Sequence, residues 1–362
     1  MSPAALAAMA SDLASRYTSP KHLYRGTVHV DELLDDVEAL ARQLFGCRHA
    51  EVRPVSGQAA AMSVLLWARG RTVMRIAPSD GGYPGYGPEG AGEALGIRML
   101  DLPYNAQAGT LDHPAAAQSI RRERPAAVIL GASLFCFPYD MAPLTEAARE
   151  AGARVLYDGS HVLGLIAGGE FQRPLAESAD ALFGSTHKTF PGPQGGLLLS
   201  NDFEELSGEV QYKTVDNAHY HRIAALGIAM EELLPVAGRY ARRVVENAHH
   251  LARCLHESGV AVRFAAQGFT RSHQVLLEPE PLAAAGGTEA LSLKLEHAGI
   301  IPDVLCRLGT AEVSGRGMGR KEMEQIAAWI SEVAGGARPE ALRPRAEALA
   351  REFPRQTYGA RL

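Results

Sequence analysis

The stretch ALFGSTHKTFPGPQGG, residues 181–196, decides the reading of the chain. An apolar run ends in small hydroxyl residues, a histidine and Lys188; a turn rich in glycine and proline follows, and a second apolar run, LLL, leads away from it. Lysine is scarce, with five in 362 residues, and this one stands where a strand ends, in the expected interior of the protein. Working outward, short β-rich runs recur at RTVMRI (71–76), IRMLDL (97–102), AAVILGAS (126–133), ARVLYDGS (153–160), DALFGS (180–185) and GGLLLS (195–200). AEVRPVSG (50–57) reads as a further strand that turns into the helix QAAAMSVLLWA. Helical patterns such as MAPLTEAAREAG (141–152) lie between several of these runs. DELLDDVEALARQLFG (31–46) has helical spacing and ends in Gly46 as a C-cap. Alternation of this kind predicts an α/β fold with a mainly parallel sheet and helices on both faces.

From about residue 227 the character changes to long helical stretches, broken near Pro235, with short strands at VAVRFA and HQVLLEP. This pattern predicts an N-terminal helical segment over 1–45, a large domain over 46–255 and a smaller α+β domain over 256–362. The last segment, PEALRPRAEALAREF, is amphipathic and arginine-rich, as a surface or interface helix is. Hydrophobic residues are 46% and charged residues 21%, with a net charge of −5, which offers no basic surface for nucleic acid. No apolar run is long enough to span a membrane. The four cysteines are scattered without a CxxC, as reduced thiols are, and the N-terminus lacks the layout of a signal peptide, so a cytoplasmic location is expected.

In open parallel sheets, ligands bind beyond the carboxyl ends of the strands. Three strand ends deliver polar groups there. VSG supplies Ser56 and Gly57 at a helix N-terminus, a natural anion site. LYDGSH supplies Asp158 and His161, and FGSTHK supplies Ser185, Thr186, His187 and Lys188. An anion pocket, a carboxylate and a lysine form the constellation of a pyridoxal phosphate site, with lysine as the Schiff-base amine and aspartate against the pyridinium nitrogen.

With those residues in view, the sequence resembles the serine hydroxymethyltransferase group of fold-type I pyridoxal-phosphate enzymes from about Tyr17 to Val333. DGSHVLGLIAGG and STHKTFPGPQGG are similar to that family's D-x-A-H-x-x-G-L and T-T-H-K-T-x-x-G-P-x-G-G signatures, and CRLGTAEVSGRGM to its R-x-G-T segment. The resemblance implies that Lys188 carries the cofactor, Asp158 pairs with its ring nitrogen, and His161 lies nearby. It also implies that Ser133 reaches the ring's phenolic oxygen and that Ser56, Gly57 and Gln58 form the phosphate loop, Gln58 standing where the family has a small hydroxyl residue. Tyr83, from SDGGYPGYG, takes the ring-stacking position. Ser185 and His187 flank the lysine, Arg307 holds the α-carboxylate of an amino-acid substrate, and Tyr24 belongs to the substrate side. A homodimer with its active site at the subunit interface is implied as well.

The departures bear on the reaction. The family's stacking histidine is Tyr83 here, and its early Tyr-x-Glu, whose carboxylate takes part in hydroxymethyl transfer, is Tyr17-Thr18-Ser19 with no acid. Its paired tyrosine motif is reduced to Tyr24-Arg25, the segment before Arg307 is short, and TVDNAHYHR replaces a glycine-rich stretch. These point to aldol-type cleavage or transfer at Cα–Cβ of a small or modified α-amino acid, without folate. Transamination, β-elimination, decarboxylative deamination and a non-catalytic cofactor-binding role are the alternatives. GYGPEGAG (85–92) follows no clear strand and has no ribose-binding acid, so it is not a dinucleotide loop. His219 and His221, like His249 and His250, lack the partners of a metal site, so no metal is expected. The loop of His219, Tyr220 and His221 is a candidate substrate contact.

Overall fold

The computed structural model describes residues 1–17, 24–87, 89–202, 210, 213–281 and 286–358. Contacts divide the chain into two units, Met1–Ala106 with Thr110–Ala237, and Gln107–Gly109 with Gly238–Leu362. The first is built on a seven-stranded sheet of β1 (His49–Glu51), β2 (Thr72–Arg75), β3 (Arg98–Asp101), β6 (Ala127–Leu130), β7 (Arg154–Asp158), β8 (Ala181–Ser185) and β9 (Gly196–Ser200). The two-residue strands β4 (Tyr104–Asn105) and β5 (Thr110–Leu111) form a separate antiparallel pair. The order across the main sheet is β1-β9-β8-β7-β6-β2-β3, and only β9 runs against the rest.

Every residue of β6, β8 and β9 is buried. That explains their unbroken apolar sequences, because a parallel sheet with both faces covered leaves no polar side to alternate with. The helices set their own ends. Val28–Phe45 stops at Gly46 with φ 64°, and Met141–Ala151 stops at Gly152 with φ 72°. Asp112 caps His113–Glu123 through Ala115 N–H at 3.1 Å. The helices Pro3–Met9 and Val28–Phe45 pack on Tyr220–Leu233 within this unit.

The strand expected over 50–57 is cut short at Glu51. Arg53 folds back on Glu51, its backbone N–H and Nε donating to Oε1 at 2.9 and 2.8 Å, and Pro54 has no N–H to offer a ladder. The pair is buried, and beside it the burial of Glu38, helped by the charge of Glu51, pushes the Glu38 carboxyl up to about 8. An acid whose folded value lies above its ordinary 4.5 contributes its full stability below pH 4.5 and loses it as pH rises through 8. Glu38→Gln is therefore expected to raise Tm by several degrees at pH 8.5 and to leave it unchanged at pH 4. Parallel melting curves at both ends of the acid-to-base series would reverse this assignment.

The second unit contains the helix Ala237–Glu257, whose Ala248, Leu251, Ala252 and Leu255 join its apolar core, so this unit begins at Gly238 rather than after residue 255. Its two-stranded sheet pairs β10 (Gln274–Leu276) with β11 (Arg307–Gly309). VAVRFA forms no strand and makes only an isolated bridge, Val262 to Leu277. Helices Gly287–His297, Ala311–Gly315, Arg320–Ala334 and Pro339–Glu352 also belong to this unit, and the last of them buries Leu342 and Leu349. Among the described residues no helix is long and apolar enough to cross a membrane.

Candidate active site

The carboxyl ends of β2, β6, β7 and β8 point the same way, and the segments leaving them meet over one cavity of about 260 Å³. The chain adds β3 on one side of β2 and then crosses to β6 on the other, so the cavity lies at a topological switch point, where such sheets bind ligands. Its lining includes Ser56, Gly57 and Gln58 from the start of helix Gly57–Leu66, Tyr83 from the segment after β2, and Ser133 after β6. Asp158 and His161 come from β7 and its turn, and Ser185, His187 and Lys188 from β8 and its turn. These ten are the residues that the sequence assigns to the cofactor.

Local bonds fix each contribution. Ser56 caps its helix, Oγ accepting from Ala59 N–H at 3.0 Å. Gly57 lies so near β8 that a Cβ there would stand 3.0 Å from Ser185 Cβ. The amide oxygen Oε1 of Gln58 is buried with no hydrogen-bond partner among the described residues. Ser133 N–H donates to Gly81 O at 2.7 Å, tying the turn after β6 to the segment that carries Tyr83. Ser160 joins two strand ends, its N–H donating to Asp158 Oδ1 at 2.9 Å and its Oγ accepting from Ser185 N–H at 3.1 Å.

The lysine turn is closed by Thr186, whose N–H donates to Gly195 O at 3.1 Å and whose hydroxyl donates to Pro193 O at 2.7 Å. Lys188 therefore projects past the strand end. It is exposed in the single chain, at the cavity rim rather than in the interior that the apolar flanks suggest. Partial burial and the charge of Lys188 lower the pKa of His187. Partial burial and the charge of Asp158 raise that of Tyr83.

Three lining residues escape the sequence reading: Tyr86, Ala132 and Ser160. Tyr86 donates its hydroxyl to Asp158 Oδ2 at 2.6 Å and is 2% exposed. Its one signal in sequence is the i, i+3 repeat of tyrosine in GYPGYG (82–87), which joins Tyr83 to the start of the GYGPEGAG segment.

Two assigned residues do not join this lining. Tyr24 is 45% exposed and packs edge-on against Tyr17 at 5.2 Å. Arg307 belongs to the second unit, where its Nε meets Asp303 Oδ2 at 2.9 Å. Thr18 and Ser19, at the position of the absent acid, lie outside the described residues. His219 and His221 stack at 6.0 Å at the start of helix Tyr220–Leu233. Among the described residues no group of three or more His, Cys, Asp or Glu is arranged to hold a metal ion.

A family model described as serine hydroxymethyltransferase matches residues 1–330. The serine hydroxymethyltransferase of Methanopyrus kandleri is 38% identical, over 99% of this chain and 88% of that protein. That of Pyrobaculum arsenaticum is 36% identical, over 100% of this chain and 89% of its own length. Among solved structures, the L-threonine transaldolase of Pseudomonas fluorescens, in its internal aldimine state, superposes with a TM-score of 0.87 at 26% identity, covering 97% of this chain and 85% of that one.

Proposed function

This chain belongs to the serine hydroxymethyltransferase family of pyridoxal-phosphate enzymes, and from that premise we propose that it cleaves or forms the Cα–Cβ bond of a small or modified α-amino acid without folate. The observation that carries the cofactor reading is one cavity lined by a capped helix start, a carboxylate and an amine. This donor set fits pyridoxal phosphate at its phosphate, ring nitrogen and aldehyde. When bound, the cofactor supplies an electron sink for the pair left at Cα as a bond there breaks. The free N–H groups at the start of helix Gly57–Leu66 would take the phosphate. Asp158 would hold a proton at the ring nitrogen, and Tyr83 would offer its aromatic face. Lys188 Nζ would hold the aldehyde carbon and exchange protons at Cα. Arg307 would grip the substrate carboxylate bidentately, in competition with Asp303.

Aldol chemistry without folate is supported by the sequence Tyr17-Thr18-Ser19, which carries no acid for proton handling in hydroxymethyl transfer. The likeness to an L-threonine transaldolase agrees with it. We extend the proposal to a homodimer, supported by the exposure of Tyr17, Tyr24 and Lys188 in the single chain.

The test is a panel of α-amino acids, including β-hydroxy amino acids, added to the purified protein loaded with pyridoxal phosphate. Released aldehyde, at a rate indifferent to tetrahydrofolate, is the expected result. Ammonia, pyridoxamine phosphate or carbon dioxide as the main product would overturn the aldol reading, as would a strict need for folate. Absence of any spectral response would make the protein a non-catalytic binder.

A further inference from the structure

We infer that Tyr86 is a positioning residue for the cofactor, acting through Asp158. The inference rests on the cofactor reading above and adds to it a residue that the sequence does not single out.

Asp158 is the last residue of β7 and is 8% exposed, with its carboxylate at the cavity wall. Two donors from different segments hold it. Ser160 N–H takes Oδ1 at 2.9 Å, from the turn directly after the strand. Tyr86 takes Oδ2 at 2.6 Å, across 72 residues of chain. One local donor would leave the carboxylate free to rotate about χ2, a broad torsion. The second, remote donor fixes its plane. Each oxygen keeps a lone pair, because a carboxylate has about four acceptor sites and these two bonds use two. What remains faces the cavity in a set direction.

The same tyrosine meets Tyr83 edge to face, ring centroids 5.2 Å apart at 83°. Between them, Gly85 has no room for a side chain, since a Cβ there would stand 2.3 Å from Tyr83 Cε1. One buried ring therefore touches both the expected partner of the ring nitrogen and the expected stacking face. Burial and the charge of Asp158 hold the Tyr86 phenol far above its ordinary pKa, so it remains a neutral donor at any working pH. A buried tyrosine hydroxyl needs some partner, and a backbone carbonyl would satisfy a purely structural one. Here the partner is a carboxylate that lines the site.

The experiment measures pyridoxal phosphate affinity of the apoprotein by absorbance and fluorescence titration, for wild type, Tyr86→Phe, Asp158→Ala and the double variant. Loss of a hydrogen bond to a charged group is expected to weaken binding of Tyr86→Phe about tenfold or more. In the Asp158→Ala background the same change is expected to have no further effect, because the group it acts through is gone. Equal losses in the two backgrounds, or no loss in Tyr86→Phe, would reduce Tyr86 to a packing residue. Should Tyr86→Phe not fold, Tyr86→Gln and Tyr86→Leu replace it. Glutamine keeps a donor and is expected to bind about tenfold tighter than leucine; equal binding would overturn the inference. A wild type that takes up no pyridoxal phosphate would instead overturn the cofactor reading itself, and this inference with it.

Discussion

Lys188→Ala is expected to yield a folded but colourless protein whose turnover falls by about 10³- to 10⁶-fold, the scale on which removal of a covalent catalytic group is felt. The prediction separates chemistry from folding because of where the lysine stands. Its side chain is exposed at the cavity rim, on a turn closed by the bonds of Thr186. Truncation there leaves no buried cavity and breaks no cap, so the melting temperature of the apoprotein is expected to stay within a degree or two of wild type, the range of ordinary surface changes. Borohydride treatment of the loaded wild type should leave one cofactor mass on the peptide containing Lys188, and none in the variant. A variant that keeps the wild-type absorbance, or a cofactor mass found on Lys213 or Lys294, would remove Lys188 from its role.

The site was legible in sequence to the extent that its chemistry is written in strand ends. β6, β7, β8 and β9 are short apolar runs because the sheet is covered on both faces, and each run announces where it stops by a change to small polar residues. Asp158, His161 and Lys188 follow directly from those stops. What sequence could not give is contact between distant segments. Tyr86 and Asp158 are 72 residues apart, and nothing in GYPGYG tells which of its two tyrosines reaches a carboxylate. The early end of β1 has the same origin, since the fold-back of Arg53 on Glu51 overrides strand propensity at 52–53. The exposure of Lys188 follows from the tertiary closure at Thr186, while its apolar flanks describe only the strands on either side. The second unit draws in helix Ala237–Glu257 because of what the apolar face of that helix meets, which its periodicity alone does not say.

The second large effect is expected at a residue with no functional group. Gly131, immediately after β6, has φ 148°, and a Cβ there would lie 2.3 Å from the carbonyl oxygen of Asp158 and 2.7 Å from its Cβ. Both obstacles belong to a residue fixed in the sheet, so neither can swing away as the end of a flexible side chain would. Gly131→Ala therefore adds overpacking, about 1–3 kcal/mol, to the backbone strain of an L residue at positive φ, a further ~1–3 kcal/mol. Gly152→Ala is the contact-free comparison at positive φ: φ is 72° there, in the left-handed region, and nothing lies within 4 Å of the added Cβ. It is expected to cost about 1 kcal/mol. Gly131→Ala should lose more than twice as much by denaturant titration. The excess must be relieved by moving the end of β7 away from β6, and that movement carries the Asp158 carboxylate off Tyr86. Cofactor affinity should therefore fall with stability in Gly131→Ala and stay at the wild-type value in Gly152→Ala. Equal stability losses in the two variants would mean that the close approach of β6 to Asp158 has no energetic weight. A destabilised Gly131→Ala with wild-type cofactor affinity would mean that the position of Asp158 is set by its own strand alone.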